Sequence, residues 1–268
     1  MAEEVRMADM FSKSEAYENL MGRWSDRLAP AFMEFAGVRD GERVLDVGCG
    51  TGALCRAVLD AAPRSEVVGV DPSEPFIACV RARCAGPRAA FDVGDALDLP
   101  YPDASFDQSL SLLVFQHLPD GERAAAEMRR VTRPGGSVAS CTWDGGGGHE
   151  LTSTFWDEAG KLDPAARKGR GGTRLFRRGR FTELWEAAGL EEVEETSLEV
   201  QLDYISFDDY WLPFLQGATP MGAYVKALPP EARDALRGAL RARFLGGGPD
   251  GPFTLRARAW AVRGRVPG

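Results

Sequence analysis

The stretch Arg43-Val44-Leu45-Asp46-Val47-Gly48-Cys49-Gly50-Thr51-Gly52-Ala53 decides the fold. Its first five residues read as a short apolar strand, and Ala53-Leu54-Cys55-Arg56-Ala57-Val58-Leu59 reads as a helix, so the glycines form the turn between them. Glycine lacks Cβ and tolerates positive φ, which lets backbone N–H groups and a helix N-terminus come close to a ligand. The spacing is Gly-x-Gly-x-Gly, not the Gly-x-Gly-x-x-Gly of dinucleotide turns. Asp46 stands two residues before Gly48, where a carboxylate repels a pyrophosphate and suits a ligand that is cationic on its near side.

This run resembles motif I of the class I S-adenosylmethionine (SAM)-dependent methyltransferases, and in particular their small-molecule, methyltransferase type 11-like group. The resemblance implies SAM as cofactor, its methionine ammonium near Asp46, and Gly48, Cys49, Gly50 and Gly52 as the cradle. Further landmarks follow in order. Glu66-Val67-Val68-Gly69-Val70 ends in Asp71, close to the offset of an acid that binds ribose hydroxyls in a βαβ unit. By resemblance Asp71 holds the ribose, and Pro72 and Phe76 line the adenine pocket; a helix N-cap is the alternative reading of Asp71. Ala89-Ala90-Phe91-Asp92-Val93 leads to Asp95 and Ala96, where relatives read the adenine edge. Leu112, late in a fourth strand, falls where a backbone carbonyl meets the methionine amine. Helix, Pro134-Gly135-Gly136 turn and fifth strand complete the series, which spans residues 43 to 144.

The implied fold is α/β: a doubly wound, Rossmann-like, seven-stranded sheet of order 3-2-1-4-5-7-6, strand 7 antiparallel, with helical lid insertions. Strands 6 and 7 are expected at 192–202 and 253–263, the second alternating as Phe253, Leu255, Ala257, Ala259, Ala261. We expect residues 1–40 as an N-terminal helical cap and 41–268 as the methyltransferase domain, with substrate-side insertions at about 145–190 and 204–250. Tyr17 and Trp24, in the leading segment, are candidate contacts to the methionine end, with a helix packed on the sheet as the alternative reading. The insertions carry Phe155, Trp156, Tyr204, Phe207, Tyr210, Trp211, Phe214, Met221 and Tyr224. The helical spacing of Phe207, Tyr210, Trp211 and Phe214 favours a core-facing stripe, part of which is a candidate wall for an apolar or aromatic substrate.

Composition narrows the partners. The net charge of −8 argues against a duplex nucleic-acid partner. No segment approaches 18 uncharged apolar residues, and Met1-Ala2-Glu3-Glu4-Val5 is acidic where a signal peptide is basic, so a cytoplasmic location without membrane partners is expected. The five cysteines form no Cys-x-x-Cys pair and read as reduced core fillers, with no metal site implied. Arg167, Lys168, Arg170, Arg174, Arg177, Arg178 and Arg180 place seven cations in fourteen positions; a solvated loop is favoured over a flap for an acidic ligand.

Methyl transfer from a sulfonium releases a neutral leaving group, so alignment and water exclusion matter most, and a base matters only where the nucleophile must lose a proton. Only two histidines exist, His117 after the fourth strand and His149 after the fifth, and both are candidate catalytic residues; the alternatives are a structural hydrogen bond in the loop for His117 and a substrate ligand for His149. The expected activity is SAM-dependent methylation of an oxygen, nitrogen or carbon of a small molecule. A non-catalytic SAM-binding protein and, more remotely, an NAD(P)-dependent oxidoreductase are the alternatives.

Overall fold

The structure, a computed structural model, describes residues 18–169 and 177–268. Tyr17, Arg170 and Arg174 lie outside the described residues. Along the chain come α1 (Arg23–Ala36), β1 (Arg43–Val47), α2 (Ala53–Ala61), β2 (Glu66–Asp71), α3 (Glu74–Arg83), β3 (Ala89–Val93), β4 (Phe106–Leu112), α4 (Gly121–Val131) and β5 (Thr132–Trp143). There follow α5 (Glu150–Leu162), α6 (Arg180–Ala187), β6 (Glu191–Tyr204), α7 (Phe207–Trp211), α8 (Pro220–Ala227), α9 (Pro230–Leu245) and β7 (Phe253–Arg265). The chain divides into two compact units: Ser25–Trp143 with Leu175–Leu198 and Ala259–Gly268, and Met1–Trp24 with Asp144–Arg174 and Glu199–Arg258.

The seven strands form one sheet of order β3-β2-β1-β4-β5-β7-β6, with β1 to β5 in the first unit. β1 pairs in parallel with β2 and β4, β2 with β3, and β4 with β5, while β5 pairs antiparallel with β7. The expected order is therefore the observed one. β1 and β2 read as nearly unbroken apolar runs because helices cover both faces of a parallel sheet, and burial begins at the second residue of each. One core brings Leu45, Val47, Val70, Phe106, Met128 and Val138 together with Phe115, Phe181 and Trp185. The indole N–H of Trp185 donates to the carbonyl of Val138 at 3.0 Å, so the buried ring carries no unmet donor. Since every βα connection leaves from the same end of a parallel strand, the loops after β1, β2, β3 and β4 gather at one rim.

One boundary differs from the sequence expectation. Pro134-Gly135-Gly136, expected as a turn before the fifth strand, lies inside β5 as an irregularity, where Thr132 pairs with Phe106 and Ser137 with Gln108. Proline has no N–H to give to a ladder, so it sits where the ladder is interrupted. Gly135 takes φ 72 and donates to Val266 O at 2.9 Å, and Val266 N returns a bond to Gly136 O at 3.0 Å. β6 and β7 also run two residues further than expected at their C-terminal ends.

In the second unit, Phe207, Tyr210, Trp211 and Phe214 are all buried, the core-facing reading of that stripe. α7 closes at Trp211, and a 3₁₀ turn over Leu212–Gln216 brings Phe214 to 5.1 Å from the ring centre of Tyr210 and 5.1 Å from that of Phe155. Arg23 pairs with Asp209 at 2.9 Å and lies over the ring of Tyr204 at 4.9 Å.

At Gly136 an added Cβ would meet Asp107 O at 2.5 Å and Arg133 O at 2.8 Å, both backbone atoms that cannot swing away. Gly136→Ala is therefore expected to lower stability in urea unfolding by about 1–3 kcal/mol. Gly238→Ala, on α9 with nothing within 4 Å of the new methyl, should raise it by about 0.5–1 kcal/mol.

Candidate cofactor site

The strand ends are tied to one another by hydrogen bonds that run through the glycine turn. Gly48 N and Cys49 N both donate to Val70 O, at 2.7 and 3.0 Å, and Gly52 N donates to Cys49 O at 2.9 Å. Gly50 N donates to Asp71 Oδ2 at 3.0 Å. Gly94 N donates to Asp71 O at 3.2 Å, and Ser111 Oγ donates to Val47 O at 3.0 Å. The ends of β1, β2, β3 and β4 are thus joined, and Asp46, the glycine turn, Asp71, Asp95 and Leu112 belong to this one rim. Gly48, Gly50 and Gly52 all have positive φ. A Cβ on Gly48 would lie 2.4 Å from Cγ2 of Val114, in the loop after β4, whereas at Gly50 nothing lies within 4 Å. The turn is closed on the Gly48 side and open beside Gly50.

The same bonds bear on which ligand fits. A pyrophosphate site needs free N–H donors in the turn, but those of Gly48, Cys49, Gly50 and Gly52 are already spent within the protein. What the turn leaves unmet is an acceptor. Asp46 is buried at 1% exposure; Cys55 Sγ donates to its Oδ2 at 3.1 Å, and its Oδ1 has no hydrogen-bond partner. Burial, with Asp71 nearby, pushes the Asp46 carboxyl up to about 7, and the Cys55 bond opposes that rise. A cationic group arriving here would restore a charge that burial penalises. Asp71 is held from both sides, Oδ1 accepting from Ser73 N at 2.9 Å and Oδ2 from Gly50 N. The N-cap of α3 is Ser73, whose hydroxyl accepts from Phe76 N, so Asp71 is not the cap. Each of its oxygens keeps a lone pair for a ribose hydroxyl.

Pro72 is exposed and Phe76 half-buried after β2; Asp95 is exposed, its Oδ1 accepting from Leu97 N at 2.9 Å, and Ala96 is buried. Leu112 ends β4, and Leu113 after it adopts φ 63, a left-handed conformation costly for a leucine, with its N–H donating to Cys141 O at 2.7 Å. His117 is exposed on the short turn Phe115–His117. Thr142 Oγ1 donates to Gln116 Oε1, which turns the Gln116 amide nitrogen toward His117 Nε2 at 3.1 Å. An amide nitrogen donates, so Nε2 accepts and the neutral ring carries its proton on Nδ1; desolvation lowers the pKa of the ring.

Trp24 and His149 belong to the second unit, their ring centres 4.7 Å apart. His149 is 4% exposed, and burial lowers its pKa to about 3. Of the basic run, Arg177 and Arg178 are exposed and Arg180 pairs with Glu183 at 2.7 Å. Among the described residues no group of three or more His, Cys, Asp or Glu side chains is arranged to hold a metal ion, and no helix is long and apolar enough to cross a membrane. Sequence reasoning passed over Cys55, Ser73, Leu113, Gln116 and Thr142. Ser73 alone carried a signal, as a serine three residues ahead of Phe76 at a helix start.

His149 has a signature in stability. Its pKa is about 3 when folded and 6.5 ordinarily, so as pH falls the unfolded chain takes the proton first. Its contribution is complete above pH 6.5 and is lost progressively toward pH 3. Asp46 works in the opposite direction, since its folded value of about 7 lies above the ordinary 3.8. The comparison that isolates His149 is with His149→Phe: the stability difference, wild type minus variant, should decrease between pH 7 and pH 4 in guanidinium titrations.

Residues 45–140 match the family described as "Methyltransferase domain". The chain is 38% identical over 118 residues to a demethylmenaquinone methyltransferase of Thermus thermophilus, the match covering 43% of this chain and 52% of that protein. It is 35% identical over 133 residues to a 27-O-demethylrifamycin SV methyltransferase of Amycolatopsis mediterranei, covering 47% and 46%. The chain thus spans about half the length of these curated relatives. Among solved structures, a phosphoethanolamine N-methyltransferase of Haemonchus contortus in complex with S-adenosyl-L-methionine superposes with a TM-score of 0.57 at 18% identity, covering 97% of this chain and 57% of that one. At that identity the likeness concerns the fold.

Proposed function

We propose that this chain, a member through its residues 45–140 of the class I SAM-dependent methyltransferase superfamily, transfers a methyl group from SAM to a small-molecule acceptor. The observation that carries the reading is the buried Asp46 carboxylate with one oxygen unmet, beside a turn in which the N–H groups of Gly48, Cys49, Gly50 and Gly52 are already engaged. That pairing favours an ammonium-bearing adenosine over a phosphorylated one. Bound SAM supplies an electrophilic methyl on a sulfonium whose leaving group departs uncharged.

The chain's own residues then have distinct tasks. Asp46 answers the methionine ammonium and Leu112 offers its carbonyl to the same group, while the positive φ of Leu113 turns the chain away directly after it. Asp71, oriented by Ser73 N and Gly50 N, takes the ribose hydroxyls. Asp95 and the Ala96 N–H meet the adenine edge, with Pro72 and Phe76 beside it. His117 is the titratable ring at this rim, and it serves as base where the acceptor has a proton to lose. To do so through Nε2 it must release the Gln116 amide. A ring held neutral down to about pH 3 is a poor proton acceptor, so we assign no base role to His149. The small-molecule assignment is supported by the relatives, whose names point to demethylmenaquinone and a demethylrifamycin.

Calorimetry should register saturable binding of SAM and none of NADH; the reverse result overturns the proposal. Gly48→Ala, which combines a contact of 2.4 Å with φ 75, is expected to weaken SAM binding by at least about tenfold. Incubation with SAM and a small-molecule cell extract should release S-adenosylhomocysteine. His117→Ala should slow that release with SAM affinity unchanged, and equal loss of both removes the base role. Binding with no release from any extract marks the protein as a SAM-binding protein without transferase activity.

A further inference from the structure

Cys55 looked like a core filler, yet its thiol is the one side chain that meets Asp46, donating to Oδ2 at 3.1 Å from the first turn of α2. Both residues are buried, at 0% and 1% exposure, so water does not compete for the bond. Burial and the neighbouring carboxylate hold the thiol far above its ordinary pKa, which makes it a permanent donor and never a thiolate. A carboxylate has two oxygens and rotates about one bond; tying one of them fixes the direction of the other. Here Oδ2 is tied and Oδ1 is left as the acceptor without a partner.

We propose that Cys55 is a positioning residue for the cofactor: its S–H pins Oδ2 of Asp46 and so presents Oδ1 to the methionine ammonium, directly or across one water. This rests on the cofactor reading above and deepens it. The thiol bond has a second consequence, because it favours the ionised form of Asp46, the form an ammonium requires. The groups facing Asp46 are Asp71 from β2, Cys55 from α2, Cys49 from the glycine turn and Cys84 from the end of α3. Burial and then the carboxylate of Asp71 raise the pKa of Asp46, while Cys55 lowers it, chiefly through its thiol and less through its backbone N–H, which a substitution leaves in place. Cofactor affinity should therefore fall as pH drops below the Asp46 value of about 7, and Cys55 should set where the fall begins.

The test is calorimetric titration of the full chain with S-adenosylhomocysteine, which carries the same ammonium and does not react, from pH 5.5 to 8.5. Wild-type affinity should drop toward about tenfold per pH unit below the midpoint. In Cys55→Ala the midpoint should move up by about one pH unit, weakening binding about tenfold at pH 6.5 with little change at pH 8. Cys55→Ser, which restores a donor, should return the profile toward wild type. The alkaline limb belongs to the ligand's own amine and is common to all three proteins. Superimposable profiles overturn the inference, as does an equal loss at every pH, the mark of a purely packing role. If the alanine variant does not fold, Cys55→Val keeps the volume, removes the donor and is read in the same way. No binding by the wild type at any pH overturns the cofactor reading itself, a result distinct from coincident profiles.

Discussion

The carbonyl of Val70 accepts two N–H groups, from Gly48 and Cys49, and much of the site depends on that double acceptance. It folds the turn after β1 back onto the end of β2, which brings Gly50 to Asp71 and lets Val114 close over Gly48. Each of these approaches requires a backbone without Cβ or with positive φ, so three glycines are needed where most turns need one. The fold-back also engages the N–H groups of Gly48 and Cys49 at Val70 and of Gly50 at Asp71 within the protein. With the Gly52 N–H also engaged, at Cys49 O, the turn has four internal N–H bonds and stands beside the unmet Oδ1 of Asp46.

Much of this was legible in the chain. The short apolar strands, the glycine turn and Asp71 stand at spacings that βα units enforce, and the sheet order is the one that the family resemblance implies. What escaped depends on three-dimensional phase and not on local pattern. Cys55 meets Asp46 only because α2 starts at Ala53 and turns its third residue toward β1, a relation no hydrophobic period reveals. Leu113 adopts positive φ although leucine gives no hint of it. Pro134-Gly135-Gly136 has turn composition yet lies within β5, because its neighbours Asp107 and Val266 accept the interruption. The Thr142, Gln116 and His117 relay joins residues from a strand and a separate loop, each unremarked alone.

The family match covers residues 45–140, all within the unit that holds β1 to β5. Asp144–Arg174 and Glu199–Arg258, which build the aromatic core of the other unit, lie outside it. The unmatched part has a core in which Tyr204, Phe207, Tyr210, Trp211 and Phe214 are buried together, and such a core is free to diverge as long as its volume is kept.

The strand order has a bearing on biosynthesis. β6 leaves the ribosome before β7, yet in the finished sheet β7 is the strand that lies between β6 and β5. Until residue 265 has emerged, β5 has an open edge along Ser137–Trp143, and β6 lacks its inner neighbour. Nascent chains of this topology spend translation with a half-built sheet, and an open strand edge is a template for adventitious pairing.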